Sequence, residues 1–301
     1  MKLSLTNVHL DLGAGRRGTD MGPSAIHVAG LVPGLERLGH EVAQMEILGG
    51  PSFESAQVGD AQVRFLLQIQ EICTEICAIV ERDVGAGMFP LVLGGDHAQA
   101  IGTLSGLARH YRKSDERVGV IWVDAHTDMN TPDSTPSGNI HGMPLAVLLG
   151  TGHPDLTGVF GSEPALNPQD VVVFGARDVD ATEVPLVKEL GVRVYTMHEL
   201  DRRGVATCMD EALERVLAHT AGVHLSFDLD GVDPAVAPGV GTPVPGGLSL
   251  RESHLICEMI NQTGKLLGME MVELNPTLDD RNRTGKLAVW LIESALGRTI
   301  L

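Results

Sequence analysis

Eight short apolar runs alternate along this chain with longer segments of helical spacing, and that alternation restricts the fold more than any other feature. The runs lie at Leu3–Leu10, Glu41–Leu48, Phe89–Leu93, Val118–Val123, Val171–Gly175, Val192–Met197, Val223–Phe227 and Leu267–Val272. A strand, a helix and a second strand in succession form a βαβ unit, whose crossover leaves the two strands parallel. Helices are expected at Pro23–Leu38, Asp60–Val84, Gln99–Tyr111, Glu183–Leu190, Val205–Ala218, Ser249–Gln262 and Thr284–Leu296. The segment from Asp60 to Val84 has neither glycine nor proline and sets Leu66, Ile69, Cys73, Ile76 and Val80 on one face. Proline and glycine are dense from Thr131 to Pro168 and from Asp233 to Gly247, each region just beyond a strand end, which predicts long loops rather than linkers. One α/β domain over residues 1–301 is expected.

Composition narrows the partners. The chain is 43% hydrophobic and 20% charged, ordinary for a soluble domain. Its formal net charge of −17 supplies no basic face for phosphates, so no nucleic-acid partner is expected, and it is compatible with a cationic small molecule. Cys73, Cys77, Cys208 and Cys257 show no CxxC spacing, which points to a reduced, cytoplasmic protein. The first residues have no signal-peptide core and no run has transmembrane length, so no membrane partner is expected.

The strand ends carry the chemistry. Asp11, Asp96 with His97, Asp124, Arg177 with Asp178, Asp228 and Glu273 each stand just past an apolar run. In a parallel sheet the ligand crevice lies outside the carboxyl ends of the strands, so these side chains are expected to share one cleft. Gly13, Gly15 and Gly18 spell GxGxxG after the first run. A dinucleotide site is not expected there, because the helix start is delayed to Pro23 and no acidic residue ends a second strand about 20 positions on. A glycine-rich loop bordering the cleft is the expected use.

Within that cleft, Asp124, His126 and Asp128 alternate along an extended backbone and share one face. Asp228 and Asp230 repeat the spacing after Val223–Phe227, and His97 follows Leu93-Gly94-Gly95-Asp96. The four carboxylates Asp124, Asp128, Asp228 and Asp230 balance two divalent cations; without metal they would repel one another. Paired ions of this kind lie about 3.5–4 Å apart. Oxygen-rich ligation with two imidazoles and no thiolate favours Mn²⁺ over Co²⁺, Fe²⁺ or Zn²⁺.

GGDH at Gly94–His97, DAHTD at Asp124–Asp128, SGNIHG at Ser137–Gly142 and SFDLDGVDPAVAPGVGTPVPGGL at Ser226–Leu248 resemble the ureohydrolase family, and within it the arginase group. The likeness runs from RRGTDMGPSAI at Arg16–Ile26 to VELNP at Val272–Pro276. It implies a three-layer α/β/α domain with a mostly parallel eight-stranded sheet, two Mn²⁺ per subunit and a homo-oligomer, trimer or hexamer. It also implies that His97, Asp124, Asp128 and Asp228 hold one ion and Asp124, His126, Asp228 and Asp230 the other. One departure stands out: the family usually has Ser after GGDH, and this chain has Ala98-Gln99. Loss of that hydroxyl predicts altered metal affinity.

The implied reaction is hydrolysis of a small cationic guanidino substrate, L-arginine, to L-ornithine and urea, with agmatine or another guanidino compound as the alternative. A guanidinium is resonance-stabilised and permanently protonated, so it resists ordinary water; a metal-bridging hydroxide overcomes this at neutral pH. Asp128, beside the bridging oxygen, is expected to relay a proton, and His141 resembles the family's proton shuttle. Glu273, at the last strand end, is expected to orient the guanidinium. By resemblance, Asn130, Thr135, Ser137 and Asn139 match positions that bind the substrate α-carboxylate, and Asp180 and Glu183 match those that hold its ammonium.

Overall fold

A computed structural model of the chain describes residues 1–299; residues 300 and 301 of the expected 1–301 domain lie outside the described residues. The strands are β1 (Lys2–His9), β2 (Glu41–Gly49), β3 (Phe89–Leu93), β4 (Gly119–Val123), β5 (Val171–Ala176), β6 (Arg193–Thr196), β7 (Val223–Asp228) and β8 (Leu266–Val272). They form one sheet in the order β2-β1-β3-β8-β7-β4-β5-β6, and every pairing is parallel.

Strand periodicity divides the interior into two cores. Leu91, Leu93, Ile121, Val123, Leu225 and Phe227 face one side of the sheet; Val92, Val120 and Trp122 face the other. Because both faces are apolar, helices must cover both, which gives three layers. The helices are α1 (Gly22–Val28), α2 (Leu31–Arg37), α3 (Leu66–Gly85), α4 (Ala100–Arg112), α5 (Pro144–Leu148), α6 (Pro154–Thr157), α7 (Val184–Leu190), α8 (Met197–Arg203), α9 (Val205–Leu217), α10 (Leu250–Gln262) and α11 (Arg283–Ala295). Residues of α1, α2, α8, α9, α10 and α11 fill the first core, and those of α3 to α7 pack on the second.

Local chemistry explains several boundaries. Ser249 accepts the N–H of Glu252, and the Glu252 side chain accepts the N–H of Ser249, a capping box that starts α10 and stabilises it by about 1 kcal/mol. A side chain at Gly102 would put its Cβ 2.5 Å from the Cys73 carbonyl, so α4 lies with its backbone against α3. That contact anchors the helix that follows His97.

Three expectations change. The helix expected at Pro23–Leu38 is two helices, broken where Gly30 takes a φ of 97°. The helix expected from Asp60 begins at Leu66, because Phe65 sits in the left-handed region at φ 58° and residues before it form turns. The loop expected from Thr131 to Pro168 contains α5 and α6, each opened by proline at the first helical turn, where its missing N–H costs nothing.

Strands β3, β8, β7 and β4 are neighbours in that order. Their carboxyl ends therefore bring Asp96, His97, Glu273, Asp228 and Asp124 to one crevice at the middle of the sheet.

Candidate metal centre

Two clusters of side chains meet at Asp124. His97, Asp124 and Asp228 form one, and Asp124, His126 and Asp230 the other. Nδ1 of His97 lies 3.2 Å from Asp124 Oδ2, 3.1 Å from Asp128 Oδ2 and 3.1 Å from Asp228 Oδ2. Nδ1 of His126 lies 3.2 Å from both Asp124 Oδ1 and Asp230 Oδ2. Neighbouring donors on a cation with bonds of roughly 2.0–2.2 Å stand about 3 Å apart, so these spacings fit side chains that could share a cation.

Unsatisfied atoms give the same reading. His97 Nδ1 and Asp128 Oδ2 are fully buried and neither has a hydrogen-bond partner among the described residues. A buried polar atom left this way costs about 1–3 kcal/mol, which a bound cation removes. Asp128 also holds a left-handed φ of 51°, a strained conformation typical of functional positions. The donor set of carboxylates and imidazoles thus fits hard divalent cations.

The ligands are held from behind. His97 Nε2 is 2.8 Å from Ser226 Oγ, which donates to Glu270 Oε1 at 2.8 Å. The indole of Trp122 stacks on His97 at 4.1 Å between centroids and donates to Asp124 Oδ2 at 3.0 Å. Thr242 Oγ1 donates to Asp230 Oδ2, and Asp228 Oδ1 accepts the N–H of Asp230. The far nitrogen of His97 is thus occupied by Ser226. Ala98 meanwhile gives its N–H to Asp96, and Gln99 reaches Glu270 at 3.5 Å.

A cavity of about 260 Å³ opens over the clusters. It is lined by His97, His126, Asp128, Asp228 and Asp230, by Asn130, Thr135, Ser137, Asn139 and His141, and by Asp180 and Glu183. Asp124 is wholly buried beneath it. Glu273 stands just past β8, as expected, and lines with His141, Ala14, Gly15 and Arg16 a cavity of about 220 Å³ that shares Asn139, His141 and Thr242 with the first. Its Oε1 accepts the His97 N–H at 2.9 Å and lies 3.0 Å from His141 Nδ1, at a left-handed φ of 65°. The glycine loop closes that adjoining cavity, with the Gly13 carbonyl accepting the His141 N–H.

The substrate-end residues divide similarly. Asp180 is exposed, and only its Oδ2 is engaged, by Asn130 Nδ2 at 2.9 Å. Glu183 is buried, with Oε1 on the Asp180 N–H and Oε2 on the Met129 N–H, so it shapes the loop. Thr135 Oγ1 accepts the N–H groups of Ser137 and Gly138, and Ser137 Oγ accepts that of Asn139. Both hydroxyls serve the turn while facing the cavity.

The electrostatics favour a cation here. Burial, then the charge of Asp124, raises the pKa of Asp128; burial and the charges of Asp230 and Asp124 raise that of Asp228. Burial opposes a charge on His97, but the three facing carboxylates outweigh it and push its pKa well up. The metal-free cluster therefore holds protons that a cation must displace. Adding Mn²⁺ to metal-stripped protein is expected to raise Tm by on the order of 5–10 °C at pH 8 and by clearly less at pH 6, as thermal melts will show.

Sequence spacing missed the supports. Ser226 stands two residues before Asp228 on the same strand face, a usable signal, but Glu270, Trp122 and Thr242 have only the fold to place them.

Comparison with known proteins follows the same lines. The sequence profile of the Arginase family matches residues 1–297. The chain is 48% identical over 300 residues to an arginase of Bacillus caldovelox, covering 99% of both chains. The crystal structure of an arginase from Bacillus subtilis superposes with a TM-score of 0.93 at 46% identity, covering 100% of each chain. That of an Entamoeba histolytica arginase in complex with L-ornithine superposes with a TM-score of 0.90 at 30% identity, covering 99% of each.

Proposed function

Because the chain belongs to the arginase family, we propose that it is a hydrolase that converts L-arginine to L-ornithine and urea with two Mn²⁺ ions per subunit. The observation that carries this reading is one cavity in which two His/Asp clusters sharing Asp124 face a loop of neutral donors, Asn130, Thr135, Ser137 and Asn139. His97, Asp124, Asp128 and Asp228 would hold one ion, and Asp124, His126, Asp228 and Asp230 the other. The chemistry such ions supply when bound is a hydroxide nucleophile at neutral pH.

The chain's own side chains do the rest. Asp178 and Asp180 add negative charge beyond the carboxylates that the ions would balance, a field that draws in a cationic substrate. Asn130, Thr135, Ser137 and Asn139 receive the α-carboxylate with neutral donors, and the free Oδ1 of Asp180 receives the α-ammonium, within a loop that Glu183 holds in place. Asp128 takes up the proton released as the guanidinium carbon is attacked, and its neighbour His141 delivers one to the departing amine. Burial opposes a charge on His141, yet the hydrogen bond and charge of Glu273 raise its pKa to about 9. It therefore enters the reaction protonated, with Nδ1 held by Glu273 and Nε2 free to pass a proton. Water gives up its O–H, the C–N bond to the ornithine nitrogen breaks, and urea and the amine leave.

Asp180→Ala is expected to raise KM for L-arginine by roughly 10-fold with kcat nearly unchanged, since the contact lies far from the reacting carbon. Steady-state kinetics check this, and an unchanged KM removes Asp180 from the site. The function itself is tested by urea release from L-arginine, agmatine and guanidino acids in Mn²⁺. Turnover of L-arginine above the others is expected; activity confined to agmatine overturns the substrate assignment.

We further propose a cytoplasmic homo-oligomer, a trimer or hexamer. What supports a cytoplasmic site is that all four cysteines are free and buried. No helix among the described residues is long and apolar enough to cross a membrane. What supports assembly is apolar surface at Ile47 (71% exposed) and Met45 (46%) on β2, an edge strand of the sheet, and at Val28 (82%) at the end of α1.

A further inference from the structure

Resting on the reading above, we propose that Arg64 is a specificity-determining residue, supplying the positive charge that selects substrates carrying an α-carboxylate. Beyond the carboxylates that two divalent cations would balance, the cavity wall includes Asp178, Asp180 and Glu183 but no lysine or arginine. Such a wall attracts a guanidinium and an ammonium and opposes a carboxylate. Neutral donors satisfy the hydrogen bonds of a carboxylate without compensating that repulsion.

Arg64 stands directly behind those donors. Its Nη1 donates to Asn139 Oδ1 at 3.2 Å, and its backbone N–H donates to the Gly138 carbonyl at 3.0 Å. Gly138 has a φ of 73°, and a Cβ there would fall 1.8 Å from the Ala61 carbonyl, so the segment around Ala61 lies flat on the donor loop. The left-handed turn at Phe65 ends that segment and opens α3, and the Arg64 guanidinium lies 5.8 Å from the Phe65 ring centroid. Two consequences follow. Holding the Asn139 oxygen leaves Nδ2 as the donating end of that amide. It also fixes a half-buried cation against Asn139, one of the residues proposed to receive the carboxylate, where screening is weaker than at the surface.

Arg64 has no carboxylate partner among the described residues, in a chain with 39 acidic and 22 basic side chains. A guanidinium has five N–H donors, and Asn139 engages only Nη1. The other guanidinium near Asn139, Arg16, lines the adjoining cavity and is exposed, so solvent screens it. Agmatine lacks the carboxylate and gives Arg64 nothing to attract.

The test compares Arg64→Gln and Arg64→Lys with the unmutated Mn²⁺-loaded protein, using KM and kcat for L-arginine and KM, or Ki against L-arginine, for agmatine. Arg64→Gln is expected to raise KM for L-arginine by roughly 10-fold, with kcat and the agmatine constant each within about two-fold. Arg64→Lys keeps the charge and most of the preference. Added salt weakens the preference of the unmutated protein and leaves that of Arg64→Gln nearly flat. Equal losses for both substrates, or an unchanged KM for L-arginine in Arg64→Gln, overturn the assignment. Failure of the unmutated protein to hydrolyse L-arginine would instead sink the functional reading.

Discussion

Asp124→Asn is expected to lower kcat/KM for L-arginine by roughly 10³-fold or more and to reduce the metal content of the protein below two ions per chain. Asp124 is the residue common to both side-chain clusters, with Oδ2 facing His97 and Oδ1 facing His126. Asparagine keeps the shape but exchanges one oxygen for an amide nitrogen, which binds cations poorly, and removes the charge. Electrostatic stabilisation of the reaction by bound metal amounts to several kcal/mol, and about 4 kcal/mol corresponds to a factor of roughly 10³ in rate. The variant also leaves the Trp122 indole N–H and the His126 N–H with a weaker acceptor. Kinetics together with elemental analysis of the purified protein separate this from simple unfolding: an Asp124→Asn protein with two ions and ordinary turnover would remove Asp124 from the centre.

Glu273→Gln carries the second-largest expected effect, a loss of roughly 10²–10³-fold in kcat. One carboxylate oxygen, Oε1, engages both the His97 N–H and His141 Nδ1, so a single residue joins the metal centre to the proton donor. The amide can still accept a hydrogen bond but has no charge to oppose that of a protonated imidazole. His141 then falls from about 9 toward its ordinary value of 6.5. Because His141 acts protonated, its active form is lost as pH rises through its pKa, and the substitution must move the alkaline limb of the kcat profile to lower pH. A pH profile with its alkaline limb unmoved would remove Glu273 from control of His141.

The candidate metal ligands could be picked out because carboxylates and imidazoles recur just past apolar runs, but strand alternation does not place them: Asp124, His126 and Asp128 follow the end of β4 in irregular backbone, with Asp128 at a left-handed φ, and Asp230 lies in a 3-10 turn after β7. The parallel sheet was legible for a related reason, since apolar runs alternating with helical segments admit few other arrangements, and the two buried faces at Leu91 and Val92 follow from it. Helix ends were harder. The break at Gly30 and the left-handed turn at Phe65 depend on single backbone torsions that apolar periodicity does not register. Long-range supports were harder still: the spacing of Ser226 from Asp228 hinted at its face but not at its partner His97, 129 positions away, and nothing in the spacing joins Arg64 to Asn139 across 75. Glu273 shows the limit most plainly. Its place at a strand end was readable, but the partners of its Oε1, the His97 N–H and His141 Nδ1, were set by the left-handed turn after β8. The loop contacts of Glu183 were equally out of reach, since its two oxygens accept the N–H groups of Met129 and Asp180.

The most direct measurement titrates Mn²⁺ into metal-stripped protein while bound metal and urea release from L-arginine are followed in the same samples. The account predicts no turnover without metal and a rate that rises with bound Mn²⁺ to a plateau at two ions per chain. Full turnover in the stripped protein, or none at two bound ions, would contradict it.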